Sequence, residues 1–283
     1  MVFPPVEVCI YLGINRSIEV RHLETALYDA VAESLSGIDK VAVAFSGGVD
    51  SSILAKICHN LRIQVILITV GFPGSHDIYF SKSIASKMGL EHKVCEINYS
   101  DFEKNVQRIQ QSIRCDNTSH IENCIAYFYI CRLAKQNQLN IVLSANGCDE
   151  LFCGYDEYRE VYHGGDAEIN KLMDKKIANE LTLTEEIEIA AAPLCVQVRQ
   201  PFLSPGFIQF SKSIPIEQKI EGPNDMTRKH ILRWTALALG VPEESATKRK
   251  KALQYGSSIH KYYKKMERIK RSSKSNGLAC MKF

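Results

Sequence analysis

Four short apolar runs alternate with longer segments in which apolar residues recur at helical spacing. The helical segments are 51–61, 77–88, 101–113 and 119–136. The apolar runs lie between them, at 40–45, 64–70, 92–97 and 140–144. Nearly continuous apolar strands separated by helices predict an α/β fold: a parallel, twisted sheet with helices on both faces. A further amphipathic helix, over 17–37, precedes the first strand.

The pattern changes after residue 165, where the chain becomes mainly helical and more polar. An extended stretch at 191–205, "AAPLCVQVRQPFLSP", interrupts this part. We therefore expect an α/β domain over 1–165 and a helical C-terminal region over 166–283, which ends in a basic tail at 261–283.

Composition indicates a globular protein. The chain has 283 residues, of which 45% are hydrophobic and 24% charged. No segment approaches the roughly 18 apolar residues that cross a bilayer, and "MVFPPVEVCIYLG" lacks the basic start of a secretion signal. These features predict a cytoplasmic protein without a membrane partner.

Cysteine and charge patterns each leave two interpretations. Ten cysteines are scattered through apolar runs without any Cys-x-x-Cys, which favours reduced, buried thiols over disulfides or a zinc ribbon. The net charge is +3, but residues 261–274 carry seven Lys or Arg against one Glu, so the rest of the chain is at about −3. This run is either a solvated helix or a surface that binds tRNA or another polyanion.

The stretch "KVAVAFSGGVDSSILAKI" at 40–57 joins a strand directly to a helix through two glycines. Backbone N–H groups gather at such a helix start, where partial positive charge favours anions. Gly47 and Gly48 leave the backbone accessible, and three hydroxyls add donors: Ser46, Ser51 and Ser52. A bound phosphate is the functional interpretation, and a simple strand-to-helix turn is the structural one.

Asp50 narrows the choice of ligand. Neither the Gly-x-x-x-x-Gly-Lys-Ser/Thr loop nor Gly-x-Gly-x-x-Gly occurs here. A carboxylate within a phosphate-binding loop repels its ligand unless a divalent cation lies between them. The sequence therefore favours magnesium-bound pyrophosphate.

A second loop of similar design occurs at 142–158, "VLSANGCDELFCGYDEY". It follows a strand, breaks at Gly147 and places Asp149 and Glu150 where a helix can start. If the two loops leave adjacent strands, Asp50 and Asp149 can bind one metal ion. The alternative is an acidic pair that only complements a helix dipole.

Both loops resemble those of known enzymes. "SGGVDSS" is similar to the pyrophosphate loop of the ATP-pyrophosphatases, which split ATP between its α and β phosphates. The second loop closely resembles the Ser-Gly-x-Gly-x-Asp-Glu-Leu-Phe-x-Gly-Tyr signature of the asparagine synthetase synthetase domain. Further similarity lies at 69–94, 198–205 and 229–258, so the resemblance covers roughly residues 20–260 in order.

The resemblance implies an adenine nucleotide alpha hydrolase-like fold that uses ATP and Mg²⁺. Asp50 and Asp149 would hold Mg²⁺, and Lys251 would neutralise charge on the α-phosphate and the leaving pyrophosphate. Glu150 and Asn146 would be the other catalytic residues. The nucleotide-binding set would be Ser46, Gly47, Gly48, Asp50, Ser51, Ser52, Val70, Gly71, Ser144 and Gly147, with the adenine at Val70 and Gly71.

Two departures from the family pattern bear on the second half of the reaction. Residue 2 is Val2 where glutamine-dependent members have a nucleophilic cysteine, and only 45 residues precede the first loop. We therefore expect no glutaminase domain, and an amine donor that is free ammonia or comes from a partner protein. Asn146 replaces the usual acidic residue, and an amide cannot take a proton from an attacking amine.

Cys148 and Cys153 also replace small residues of the signature. We interpret them as small apolar fillers, with a metal-binding, persulfide or redox pair as the alternative.

The sequence thus predicts an ATP-dependent ligase that adenylates a small carboxylate and transfers the acyl group to an amine. The alternative is an enzyme of the same superfamily that adenylates an RNA base and then adds sulfur or an amine. A nucleotide-binding protein without chemistry is a third reading, which the joint presence of Asp50, Asp149 and Lys251 opposes.

Overall fold

In the computed structural model, residues 14–249 and 252–279 are described, and their side chains from 18 to 249 and from 252 to 270. The strands are β1 Lys40–Ala44, β2 Gln64–Gly71, β3 Glu91–Glu96, β4 Ile141–Leu143 and β5 Gln197–Arg199. The first helices are α1 Ile14–Ser34, α2 Val49–Asn60, α3 His76–Met88, α4 Tyr99–Ile113, α5 Thr118–Gln136, α6 Cys148–Leu151 and α7 Glu157–Glu160. The later helices are α8 Gly165–Ala191, α9 Pro205–Ser213, α10 His230–Ala238, α11 Glu243–Thr247, α12 Leu253–Gly256 and α13 Ile259–Ala279.

The five strands form one parallel sheet in the order β3-β2-β1-β4-β5. Val41 of β1 aligns with Val65 of β2, and Val43 aligns with Leu143 of β4. The predicted fold class is confirmed, and the helix and strand limits agree with the expected ones to within about three residues.

The strand β5 lies within the stretch at 191–205 that the sequence predicts only as extended. It pairs with β4 at the edge of the sheet. The sheet therefore draws its last strand from beyond residue 165, while the division of the chain at that residue stays a prediction.

Helices cover both faces because alternate strand residues point to opposite sides. Val41 and Val43 join a buried cluster with residues of α1, α2 and α10. Ala42 between them joins a second cluster, built with residues of α4, α5 and α13. Both faces of the central strand β1 are therefore buried against apolar residues.

The order of the strands places the site. From β1 the chain moves outward to β2 and β3 on one side, and the later strands β4 and β5 lie on the other. Ligands of open α/β sheets bind beyond the carboxyl ends of the strands, where the strand order reverses. Here that point lies between β1 and β4, the strands that precede the two predicted loops.

Within the part of the chain described, no helix has the length and apolar character needed to cross a bilayer.

Candidate active site

The first loop joins β1 to α2 and presents donors around the helix start. The N–H of Gly48 donates to Ser46 Oγ at 3.3 Å, and the Ser51 hydroxyl donates to Gly48 O at 3.2 Å. Ser46 N also donates to Ser51 Oγ at 3.4 Å. These local bonds hold the two hydroxyls beside the N-terminus of α2, as an anion site requires.

Gly47 is required at this turn for two reasons. Its φ of 75° lies in the left-handed region that side chains disfavour. A Cβ at this position would also lie 2.9 Å from the ring of Phe80. The loop can therefore approach α3 closely only because residue 47 has no side chain.

The second loop joins β4 to α6, and Gly147 begins that helix with a φ of 100°. Since β1 and β4 are neighbours, Asp50 and Asp149 lie at the same edge of the sheet. Both border one cavity, as the sequence predicts for a shared site.

The ammonium of Lys229 lies between these two carboxylates. Its Nζ is 2.7 Å from Asp50 Oδ2 and 2.6 Å from Asp149 Oδ1. The Lys229 side chain is only 2% exposed. Burial by itself lowers the pKa of Lys229, but the charges of Asp149 and Asp50 outweigh it and hold the pKa above its ordinary value. Lys229 is therefore a fixed positive charge at the site.

The backbone at Lys229 is held in an unfavourable conformation. Arg228 and Lys229 have φ values of 52° and 55°, and such conformations cost about 1–3 kcal/mol each. Buried arginines hold this turn in place: Arg228 donates to Gly154 O at 3.2 Å, and Arg233 Nε donates to Arg228 O at 2.8 Å. Strain maintained by such contacts is typical of functional positions.

Gly154 completes this arrangement by making room for it. A Cβ on Gly154 would lie 2.0 Å from Asp149 Oδ1 and 2.5 Å from Lys229 Cε. Any larger residue here would separate the lysine from its carboxylate.

A small cavity of about 70 Å³ opens beside this cluster. Four cationic side chains border it, together with Asp50, Asp77 and Asp149; the cations are Lys229, Arg233, Lys248 and Arg249. Arg233 also donates to Lys248 O at 2.9 Å, which fixes the backbone of the 246–249 segment against the site. A pocket with hydroxyls, a helix N-terminus and several cations suits a polyphosphate.

The two aspartates also fit a magnesium ion. They converge on one cationic centre, at present the Lys229 ammonium, and Mg²⁺ in proteins is bound through one or two carboxylates plus substrate phosphates. Asp50 and Asp149 are therefore the residues that would hold Mg²⁺.

A larger cavity of about 550 Å³ extends from the same two aspartates along the strand ends. Part of its wall is mainly apolar and includes Val70 of β2. The residues of this part are Ala44, Phe45, Ile68, Thr69, Val70, Ala252 and Leu253.

Another part of the cavity wall is polar and includes Asn146. Tyr127 and Ser144 donate to Asn146 Oδ1 at 2.7 and 2.6 Å, and Asn146 Nδ2 donates to Glu180 Oε1. Burial raises the pKa of Tyr127 well above its usual range, so its phenol remains a donor. Glu180 is buried on α8. Its carboxylate thus lies beside Asn146, the residue of the second loop that stands where the family pattern has an acidic residue.

Glu150 lies on the same wall and accepts a hydrogen bond from the Tyr155 hydroxyl. Burial raises the pKa of Tyr155 well above its ordinary value, and the charge of Glu150 adds to this. Beyond them, Lys176 pairs with Glu157 at 2.6 Å and lies over the Tyr155 ring.

The structure brings most of the predicted site residues to the two cavities, but Gly47 and Gly147 act only as the positive-φ turns of the loops, and Ser52 and Gly71 also line neither cavity. Ser52 lines neither cavity, because its hydroxyl accepts a hydrogen bond from Ser245 in the packing against α11. Gly71 packs against Ser257 at the end of β2, while its neighbour Val70 faces the cavity. Lys251 lies outside the described residues, although Arg249 borders the small cavity and Ala252 the large one.

The two cysteines of the second loop are buried. Both are fully inaccessible, and burial raises the pKa of each thiol; that of Cys153 reaches about 12. Cys148 is affected by Asp50 and Lys229, whereas Cys153 is affected by Lys219 and Arg228. Protonated thiols in different surroundings favour the packing interpretation.

Sequence reasoning missed Lys229, Arg233, Glu180 and Asp77. Lys229 and Arg233 lie in "KHILR", at the start of the 229–258 segment that resembles the family, and two basic residues at the start of a mainly apolar helix are a usable signal. Asp77, buried beside both cavities, lies in the 69–94 segment that also resembles the family. Glu180 gave no signal, since it is one of several acidic residues along α8.

The sequence is similar to those of known proteins. The sequence matches the model of the Asparagine synthase family over residues 22–191 and 172–277. It is 30% identical over 271 residues to an asparagine synthetase [glutamine-hydrolyzing] 1 of Methanocaldococcus jannaschii, covering 85% of this chain and 50% of that protein. Asparagine synthetase B [glutamine-hydrolyzing] of Escherichia coli is 25% identical, over 75% of this chain and 40% of that protein.

The chain thus spans about half the length, or less, of these curated relatives. Among solved structures, an NMN synthetase from Francisella tularensis aligns with a TM-score of 0.46 and 12% identity, covering 86% of this chain and 78% of that one. The family match extends over most of the chain and includes both strand-end loops. The chain belongs to the asparagine synthase family.

Proposed function

We propose that this protein adenylates a small carboxylate with ATP and transfers the acyl group to an amine to form an amide. The observation that carries the proposal is the position of Asp50 and Asp149 in the wall shared by both cavities. One cavity has the charge of a pyrophosphate site, and the other has room for a nucleoside beside an acyl group. Cleavage between the α and β phosphates would then occur where the two cavities meet.

In the first step, a carboxylate oxygen of the substrate attacks the α-phosphorus, and the bond to the β-phosphate oxygen breaks. Negative charge builds up on the departing pyrophosphate. The N-terminus of α2, the hydroxyls of Ser46 and Ser51, and the ammonium of Lys229 are fixed before the reaction and can stabilise this charge. Mg²⁺ held by Asp50 and Asp149 would supply further neutralisation of the phosphates.

In the second step, an amine attacks the acyl carbon and AMP leaves. The attacking nitrogen must lose a proton, which the Asn146 amide cannot accept. Glu180 can accept it, because its carboxylate borders the cavity and is bonded to Asn146. We assign Glu180 as the base and Asn146 as the group that positions both partners.

The test measures the two steps separately. ATP–pyrophosphate exchange is followed with a panel of free amino acids, including aspartate, and other small carboxylates, while AMP and amide products are quantified with ammonium present. We expect exchange with at least one carboxylate, and its loss in Asp50→Asn, with the folded state checked by circular dichroism. Unchanged AMP formation in that variant would contradict the metal and pyrophosphate assignment.

Glu180→Gln tests the second step alone. Its exchange rate should stay near that of the unaltered protein, while amide formation falls by about 10²–10⁴-fold, the usual contribution of a general base. Glu188→Gln, an exposed position on the same helix, is the matched control. Equal loss of exchange and amide in Glu180→Gln would contradict the role as base.

The amine donor is proposed to be free ammonia, or ammonia delivered by a partner protein. Amide formation that rises with ammonium and not with glutamine supports this proposal. Amide formation with glutamine alone in the purified protein would contradict it.

One observation supports the RNA-modifying alternative, namely a set of exposed basic residues on α13. The basic residues Lys261, Lys264, Lys265 and Arg268 are exposed on α13, while Ile259 and Met266 pack inward. Binding to total tRNA that weakens steeply with salt, and that is lost on deleting residues 261–283, would support this alternative. Absence of binding at low salt would exclude it.

A further inference from the structure

A thiol, an imidazole and a carboxylate meet at the wall of the large cavity, away from the phosphate site. They belong to Cys115, His120 and Glu186, and their ligand atoms all lie within 4.8 Å of one another. Cys115 lies in the turn before α5, His120 in the first turn of α5, and Glu186 on α8. His120 also borders the cavity.

The hydrogen bonds of His120 suit a metal ligand. Its Nδ1 lies 2.7 Å from Glu186 Oε2, and its Nε2 lies 3.2 Å from Asn179 Oδ1. The Asn179 carbonyl can only accept, so Nε2–H donates to it, while Nδ1 faces the Glu186 carboxylate and donates to it. A metal ion bound there would displace the Nδ1 proton and take the nitrogen lone pair. Fixing the tautomer from behind in this way is the usual arrangement of metal-binding histidines.

The turn that carries Cys115 is also fixed. The N–H of Asn117 donates to Cys115 Sγ at 3.3 Å, and the Asn117 side chain accepts from Ser119 N at 3.0 Å, which caps α5. The sulfur therefore faces the imidazole because the cap and the turn are built together. A hydrogen bond between His120 and Glu186 would be enough to join α5 to α8. The sulfur of Cys115 is not needed for that structural role, so its presence beside the pair requires another explanation.

We propose that Cys115, His120 and Glu186 bind a zinc ion. One sulfur, one nitrogen and one oxygen donor match the ligands that Zn²⁺ takes, whereas Mg²⁺ and Ca²⁺ avoid sulfur. Three protein ligands leave one position of a tetrahedron for water or a group in the cavity. The ion would join α5 to α8, the helix that also carries Glu180, and would fix the part of the cavity wall that these two helices form. The inference is independent of the proposed reaction.

The test uses the full chain, stripped with a chelator and then loaded with Zn²⁺ or Co²⁺. We expect one zinc per chain by elemental analysis, a rise in melting temperature on adding zinc, and thiolate-to-cobalt charge-transfer absorption with Co²⁺. Cys115→Ser should lose the charge-transfer band and the zinc. Cys195→Ser, at an exposed thiol outside the cluster, should keep both.

Asn179→Ala provides a second variant that leaves all three ligands in place. Loss of such a supporting hydrogen bond is expected to weaken zinc binding about 10–100-fold. The proposal is overturned if the unaltered protein binds no zinc, if its cobalt form lacks the charge-transfer band, or if Cys115→Ser retains that band. Magnesium at Asp50 and Asp149 cannot produce the band, so the two sites are distinguished in one experiment.

Discussion

Replacing Lys229 with methionine is expected to destabilise the fold by removing a buried charge from between two carboxylates. Methionine keeps the length of the side chain but leaves Asp50 and Asp149 facing each other without their cation. Removing one partner of a buried ion pair costs about 3–5 kcal/mol. The two carboxylates are 23% and 17% exposed, so the lower end, about 3 kcal/mol, applies.

The measurement is chemical and thermal unfolding of Lys229→Met beside a matched control, Lys212→Met. Lys212 pairs with Asp174 at 2.6 Å, but these two side chains are 37% and 58% exposed. An exposed pair contributes less than about 1 kcal/mol. At about 2–4 °C per kcal/mol, Lys229→Met should melt about 6–12 °C lower, and the control within about 4 °C of the unaltered protein.

Magnesium adds a second readout. An ion that binds only the folded state stabilises it by mass action. We therefore expect Mg²⁺ to restore part of the stability of Lys229→Met, and not that of the double variant with Asp149→Asn. If Lys229→Met loses no more stability than Lys212→Met, the lysine is not a buried counter-ion and the reasoning is refuted.

Three further predictions concern the packing at Gly154, the role of Lys251 and the protonation of His92. Gly154→Ala places a methyl group against Asp149 and Lys229 and should abolish pyrophosphate exchange. The control is Gly206→Ala, where a Cβ meets open space, and it should leave the exchange rate unchanged. Equal exchange rates in the two variants would contradict the packing argument. Lys251→Ala should slow exchange by about 10²–10³-fold if this lysine stabilises charge in the transition state. The control is Lys171→Ala, at an exposed lysine that lines neither cavity; a rate within a few-fold of the control would remove Lys251 from the mechanism. Burial, with a smaller effect of Lys82, lowers the pKa of His92 to about 4. Below pH 6.5 the unfolded chain therefore gains a proton that the folded protein does not, so the free energy of unfolding falls between pH 6.5 and 4. The expected loss is about 1–2 kcal/mol after allowing for the partial exposure of His92. In urea unfolding measured across this pH range, His92→Gln should remove this part of the pH dependence of the midpoint.

The two loops could be predicted because each is a local device. Gly47 and Gly147 have positive φ at the junction of a strand and a helix, and the acidic residues follow within three positions. Such turns depend on a few consecutive residues, so their chemistry can be read from the sequence. That they meet follows from β1 and β4 being neighbours, which the alternation of strands and helices only suggests.

Glu180 and Lys229 could not be predicted in the same way. Glu180 lies on a helix 27 residues long with several other acidic residues, and only the packing of α8 against α5 selects the one that faces Asn146. Lys229 is 179 residues from Asp50 along the chain, and nothing local shows that its ammonium is buried. The Cys115, His120 and Glu186 cluster likewise joins residues of two helices and a turn.

By itself, the sequence determined the alternation of strands and helices, the parallel sheet and the two loops at its carboxyl edge, because periodicity and glycine turns act over a few residues. The tertiary structure decided which charges meet: Lys229 between Asp50 and Asp149, Glu180 beside Asn146, and β5 at the edge of the sheet. The physical reason is that a charge acts through its distance and its burial, and both are set by how distant segments pack.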